Sequence, residues 1–170
     1  HGTGPVHINI PSKTYNNSFP LKELPKAQKI NRIGMEDSKT VWEEKIEKLK
    51  SAKRILVTCG QNSCVSKKLN DELKKFFERY NCTISLDYMS NLDIEEGINT
   101  TVCMDGRYII PKKVKELLPD IVISFGGQIF SSIKEELQLF EGKFEHWLIQ
   151  EDGRVIDAYK SLTDIFECKP

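Results

Sequence analysis

The residues best suited to chemistry in this chain lie in two short turns, Thr58-Cys59-Gly60-Gln61-Asn62-Ser63 and Ser124-Phe125-Gly126-Gly127-Gln128. Each follows an apolar run that reads as a strand and precedes a periodic stretch that reads as a helix. A glycine-bearing turn of this kind can aim backbone N–H groups at an anion, helped by the partial positive charge of the helix start. Gly60, Gln61, Gly126, Gly127 and Gln128 are therefore the candidate ligand-facing residues. Neither turn has the Gly-x-Gly-x-x-Gly spacing of dinucleotide sites. Asp87 follows the next strand, but farther from Gly60 than the about 20 residues usual between a glycine turn and a ribose-binding acid. Glycine is also what any tight strand-to-helix reversal needs, with or without a ligand.

Catalytic groupings are sparse. The histidines are His1, His7 and His146. His1-Gly2-Thr3 reads as a remnant of processing, His7 alternates within a strand-like run, and His146 precedes Trp147, so ordinary structural roles are expected. Gly-x-Ser-x-Gly, Walker and His-Glu-x-x-His patterns are absent from the sequence. Cys59 and Cys64 stand near a helix start, where the local dipole can lower a thiol pKa, yet inert half-buried thiols are the simpler reading. The five cysteines are odd in number and scattered, as in a reduced, cytoplasmic protein. A zinc site would need a second Cys/His pair to join Cys59 and Cys64. No catalytic residue and no metal ligand is expected.

Composition narrows the partners. Lys+Arg and Asp+Glu are both 25, for a net charge of zero, and a nucleic-acid binder usually carries a basic excess. The pairs Lys67-Lys68, Lys74-Lys75 and Lys112-Lys113 have acidic neighbours at helical spacing and read as solvated faces. No apolar run approaches the about 20 residues of a membrane span, and the polar start lacks the apolar region of a signal peptide. Neither nucleic acid nor membrane is an expected partner.

The elements that must position the turns follow from periodicity. Val6–Ile10 reads as a strand closed by Pro11, the last strand of a preceding domain. Residues 11–37, with Pro11, Pro20 and Pro25, read as a surface linker. From 38 to 170 the pattern is regular. Trp42, Ile46 and Leu49 mark a helix capped by Asp37 or Ser38, and 55–58 is a strand. Val65, Leu69, Leu73, Phe76, Phe77 and Tyr80 mark a strong helix capped by Asn62 or Ser63, and 82–86 is a second strand. Residues 87–110 suggest loops with a short helix and a short strand near Val102. Pro111 opens a helix through Val114, Leu117 and Leu118, and 121–125 is a strand buried on both faces. A helix whose apolar positions Phe130, Ile133, Leu137 and Phe140 keep a 3.6-residue period follows, then a strand at 147–149. Residues 162–168 hold a short helix and a last strand. Strands alternating with helices imply an α/β fold, a three-layer Rossmann-like domain with a mainly parallel sheet of five or six strands.

The opening Gly4-Pro5-Val6-His7-Ile8-Asn9-Ile10-Pro11 resembles the segment that closes the first domain of thiamine-diphosphate-dependent enzymes and leads into their central domain. Pro119-Asp120-Ile121-Val122-Ile123-Ser124-Phe125-Gly126-Gly127 is similar to a late strand and turn of that central domain. The run His146-Trp147-Leu148-Ile149-Gln150-Glu151-Asp152-Gly153-Arg154, with Asp157, is similar to the 2-succinyl-5-enolpyruvyl-6-hydroxy-3-cyclohexene-1-carboxylate synthases of menaquinone biosynthesis. The resemblance covers nearly the whole chain in order, with residues 12–50 and 87–110 contributing little.

The resemblance implies a non-catalytic central domain, 38–170, of a carboligase that adds decarboxylated 2-oxoglutarate to isochorismate. Thiamine diphosphate and Mg²⁺ would be held by N-terminal and C-terminal domains of the same polypeptide, in a homodimer or homotetramer, and not by this segment. Where that synthase family tends to carry a Lys-Arg pair after the late glycine turn, this chain has Ser132 and Ile133, so Ser131, Ser132 and Lys134 are the candidate substrate-facing residues. Two other readings stand beside it: a nucleotide- or metabolite-binding regulatory module using the glycine turns, and the central domain of another thiamine-diphosphate decarboxylase or an acetolactate-synthase-like enzyme.

Overall fold

All five residues of one strand, Ile121–Phe125, are buried, so helices must cover it on both sides. The computed structural model, which describes residues 5, 12, 27–62, 65–105 and 115–170, shows how this is done. In chain order the elements are β1 (Asn31–Gly34), α1 (Lys39–Ser51), β2 (Ile55–Cys59), α2 (Lys67–Arg79), β3 (Cys82–Leu86), β4 (Ile98–Asn99), α3 (Thr100–Asp105), β5 (Ile121–Phe125), α4 (Ile133–Gln138), β6 (Glu145–Ile149) and β7 (Leu162–Glu167). The strands form one sheet in the order β1-β7-β6-β5-β2-β3-β4, and every pairing is parallel. The described sheet thus has seven strands, against the five or six expected.

Side chains alternate across the sheet as the pleat requires. Ile55, Val57 and Cys59 of β2 join Ile121, Ile123 and Phe125 of β5 on the face covered by α1 and α2. Val122 points the other way, onto Ile133 and Leu137 of α4, Phe144 and Tyr159. In α2, Leu69, Leu73, Phe76 and Phe77 recur on one face and pack on the first cluster. Its start is later than the sequence suggested: Ser66 is the cap, and its hydroxyl accepts from the Leu69 N–H at 3.1 Å. Ser63, one of the two expected caps, lies outside the described residues.

The short strand and short helix expected near Val102 are the two-residue β4 and α3, which holds Val102 itself. Three expectations need correction. Within the stretch 11–37 assigned to linker, residues 31–34 are an edge strand paired with β7, and Ile33 is buried. Residues 162–167 form one strand without a helix. The inner face of α1 is Val41, Trp42, Lys45 and Leu49, while Ile46 is exposed. Lys45 enters the core because Asp164 of β7 is there to meet it, with Nζ 2.6 Å from Oδ1 and both side chains nearly inaccessible. At the start of α1, Asp37 uses its carboxylate on the Gly34 N–H at 2.7 Å, and Ser38 occupies the cap position without a side-chain cap bond. The expected strand at 6–10, Pro111 and Val114 lie outside the described residues.

Candidate functional site

The chain leaves β2 toward β3 on one side, whereas β5 continues to β6 on the other, so strand order reverses between β2 and β5. The crevice beyond the carboxyl ends of strands at such a reversal is where open parallel sheets bind ligands. Both glycine turns sit there, Gly60 after β2 and Gly126 after β5.

The turns close on each other. The Gly60 N–H donates to the Phe125 carbonyl at 3.0 Å, Gln61 N–H to the Gln128 carbonyl at 2.9 Å, and Gly127 N–H to the Gln61 carbonyl at 2.7 Å. A Cβ on Gly60 would stand 2.3 Å from the carbonyl oxygen of Gly127, and Gly126 has φ +83°. Close backbone approach and a left-handed residue account for these glycines without a ligand.

The next amides along are already bound to a carboxylate. Asp87, buried at the end of β3, accepts the N–H groups of Phe130 at 2.8 Å and Ser131 at 2.9 Å on Oδ2. Its Oδ1 accepts from Met89 N–H at 3.1 Å. The acid considered at first as a ribose ligand instead serves as an internal anion tying the β3 and β5 loops together. Ser131 is sealed beneath it, its hydroxyl accepting from Thr100 Oγ1 at 3.4 Å. Ser132 caps α4, its carbonyl accepting from Glu136 N–H at 3.1 Å.

Beside this knot opens a cleft of about 840 Å³ whose lining includes Gln61, Gly126, Gly127, Gln128 and Lys134, and from the far side Gln150 and Arg154. Gly60, Ser131 and Ser132 are not in its wall. Lys134 is therefore the one of the three candidate substrate-facing residues that reaches the cleft. Its Nζ lies 3.4 Å from Glu135, and Arg154 pairs with Asp152. Such partly exposed pairs are weak, so both cations can be recruited by an anionic ligand. Arg154 was visible in the sequence only as part of a longer run. It lines the same cleft as Lys134 and directly follows the turn at Gly153, which has φ +62°.

Under the cleft, Ser124 Oγ lies 2.6 Å from His146 Nε2, and His146 Nδ1 is 3.8 Å from Asp157 Oδ1. The residue types match a Ser–His–acid relay, but the second distance is too long for a hydrogen bond and His146 is fully buried. Burial holds the imidazole below its ordinary pKa, against the opposing pull of Asp157. Asp157 meanwhile accepts the Ser161 and Leu162 N–H groups at 2.9 and 3.1 Å. Tyr159 stacks edge-on to His146 and donates to Thr58 Oγ1 at 2.9 Å. The network is a clamp holding the 157–161 segment on the sheet, with His146 enclosed within it. Cys59 is likewise unsuited to reaction, since burial pushes its thiol up to about 12. Cys64 and His7 lie outside the described residues.

Similarity to known proteins is co-linear with the chain. It is 28% identical over 173 residues to the 2-succinyl-5-enolpyruvyl-6-hydroxy-3-cyclohexene-1-carboxylate synthase of Bacteroides thetaiotaomicron, covering 100% of this chain and 30% of the relative. The chain resembles this synthase from end to end. The synthase of Bacteroides fragilis is 29% identical, with 100% of this chain and 31% of the relative covered. That of Cytophaga hutchinsonii is 29% identical over 95% of this chain and 29% of the relative. No protein-family model matches the chain. The chain spans about 30% of the length of the curated relatives it matches.

Thiamine diphosphate with Mg²⁺ needs a metal cage and free donors for a diphosphate. Among the described residues no group of three His, Cys, Asp or Glu side chains could hold a metal ion. At the sheet reversal the amides of Gly60, Gln61, Gly127, Phe130 and Ser131 are spent internally. Those five amides are not free to receive a diphosphate.

Proposed function

We propose that this chain is the non-catalytic central domain of a thiamine-diphosphate-dependent carboligase of menaquinone biosynthesis. Its polypeptide would add decarboxylated 2-oxoglutarate to isochorismate in the cytoplasm. Other domains of the same polypeptide, assembled as a homodimer or homotetramer, would hold thiamine diphosphate and Mg²⁺, which supply the carbanion chemistry. The observation that carries the reading is the co-linear match of the whole chain to about 30% of such synthases. A sheet reversal closed by its own backbone and by Asp87 supports a bracing role. The role of Gly127, Gln128, Ile129 and Lys134 is to wall the cleft, with Lys134 and Arg154 presenting positive charge to a carboxylate substrate.

The test is calorimetry of the 170-residue chain beside activity of the longer polypeptide encoded around it. The chain alone is expected to give no heat with thiamine diphosphate/Mg²⁺, FAD, ADP or NAD. The longer polypeptide is expected to consume 2-oxoglutarate only when thiamine diphosphate and isochorismate are both present, with Lys134→Ala raising KM about tenfold, or about 1.4 kcal/mol. Micromolar ADP or FAD binding by the chain would favour a metabolite-binding module. An active longer polypeptide that refuses isochorismate would place the domain in another thiamine-diphosphate decarboxylase.

A further inference from the structure

Two polar side chains of the cleft wall, Gln150 and Arg154, are held by one carboxylate, Asp152, that is not itself in the wall. Asp152 Oδ1 accepts from Gln150 Nε2 at 2.8 Å and from the Arg154 backbone N–H at 3.1 Å, and Oδ2 accepts from Arg154 Nε at 2.5 Å. The turn beneath them is fastened to the sheet. Gln150 N–H donates to the Phe166 carbonyl of β7, and Gly153 N–H to the Gln150 carbonyl, both at 2.9 Å. The donors around Asp152, the Gln150 amide first, hold its carboxyl below the usual carboxylate range. It is therefore ionised at neutral pH and can only accept. That fixes what each side chain has left to offer. Gln150 must turn its NH2 group toward Asp152, which leaves its Oε1 as an acceptor. Arg154 spends its Nε–H, and its two terminal nitrogens keep the forked edge that takes a carboxylate in two parallel bonds. Among the described residues, Gln150 Oε1 and those terminal nitrogens make no other hydrogen bond. Glu151, also in the wall, is offset by Lys169 at 3.6 Å.

We propose that Asp152 is a positioning residue that sets Arg154 and Gln150 to receive a carboxylate bearing a neighbouring hydroxyl group. The Arg154 fork takes the carboxylate, and Gln150 Oε1 accepts from the hydroxyl. Because both side chains are bonded to the same Asp152 carboxylate, they lie within reach of one small molecule. The ligand need not break the ion pair, since Arg154 can keep its Nε bond to Asp152 while its terminal nitrogens bind. This rests on the reading above of the cleft as a substrate wall, and it names the substrate that the wall meets. Of the two substrates, isochorismate carries a hydroxyl beside a carboxylate and 2-oxoglutarate carries none, so the Arg154 side of the cleft is assigned to isochorismate.

Steady-state kinetics of the longer polypeptide tests this. Asp152→Asn keeps one oxygen for the Gln150 amide and the Arg154 backbone N–H, so the turn should stand, but its NH2 group cannot accept from Arg154 Nε. The variant is expected to raise KM for isochorismate about fivefold, the loss of one oriented charge-assisted contact. Its kcat and its KM for 2-oxoglutarate should stay close to the original values, and its Tm should not move. In an Arg154→Gln background, which should itself raise KM for isochorismate, the same change should add nothing. An unchanged or lower KM for isochorismate in Asp152→Asn would overturn the proposal, and so would an equal rise for both substrates or a rise that persists in full without Arg154. If Arg154→Gln raises KM for isochorismate and Asp152→Asn does not, only the positioning role fails. If the longer polypeptide is active but does not use isochorismate, or if Arg154→Gln leaves its KM unchanged, the substrate-wall reading fails and this inference with it.

Discussion

Replacing Asp87 by Ala tests whether the crevice is closed from within. The carboxylate accepts three backbone N–H groups at 2.8, 2.9 and 3.1 Å and is buried. Each bond to a charged acceptor contributes about 1.5–3 kcal/mol, and each donor left dry costs about 1–3 kcal/mol. Water entering the space left by the side chain can satisfy one or two of the three, so the expected loss is about 3–5 kcal/mol. In a domain of this size each kcal/mol lowers Tm by about 2–4 °C, which predicts a fall of about 10 °C in a thermal melt followed by circular dichroism. Asp87→Asn keeps one acceptor oxygen and should fall between the two. A second reading distinguishes an anion nest from ordinary packing. The Phe130 and Ser131 amides freed in Asp87→Ala should take up sulfate, so tens of millimolar sulfate should restore Tm in the variant by more than the general salt effect seen in the original chain. A Tm within 2 °C of the original, or equal sulfate response in both proteins, would refute the reasoning.

Three further outcomes follow from the same geometry. Lys45→Ala should cost about 3–5 kcal/mol in urea unfolding, because it strands a buried Asp164 carboxylate, whereas the Lys45→Met, Asp164→Asn double variant should recover most of that loss. Gly60→Ala drives a Cβ to 2.3 Å from the Gly127 carbonyl and should destabilise by about 2–3 kcal/mol in the same assay. His146 is held below its ordinary pKa by burial, so the unfolded chain takes up the proton first. Its contribution is present above the unfolded value of about 6.5 and is lost as pH falls below it. His146→Gln should flatten the decline of stability between about pH 6.5 and 5, and an unchanged slope would show that the imidazole does not titrate with unfolding.

How far the structure was legible depended on where charge sits. β2, β5 and α2 could be read directly because their apolar residues keep the period of a covered strand or an amphipathic helix, and tertiary packing agrees with it. β7 was misread because Asp164 interrupts its apolar run. α1 was read one position off because Lys45 occupies an inward site that looks polar. These are one error: the two charges cancel across 119 residues, and neither is interpretable without the other. β1 offered only Ile33 as a buried residue among Asn, Arg and Gly, and its place comes from pairing with β7, not from a local pattern.

The partners of the two glycine turns were not legible for a related reason. A glycine turn between strand and helix looks the same whether its amides face a phosphate or a neighbouring loop, because local sequence specifies the turn and not its partner. Here the partner of the Phe130 and Ser131 amides is a carboxylate 43 and 44 residues upstream. A usable signal existed nonetheless. In a parallel sheet the residue following a strand lands at the carboxyl edge, and Asp87 follows β3, the strand beside β2 at the reversal. An acid so placed reaches the same amides that a ligand anion would need, and the two cannot share them without burying adjacent negative charges. The position of Asp87 therefore argues against phosphate binding at the second turn more strongly than the missing Gly-x-Gly-x-x-Gly spacing does. Lys134 and Arg154, displaced to the open side of the cleft, are the charges left for a ligand to use.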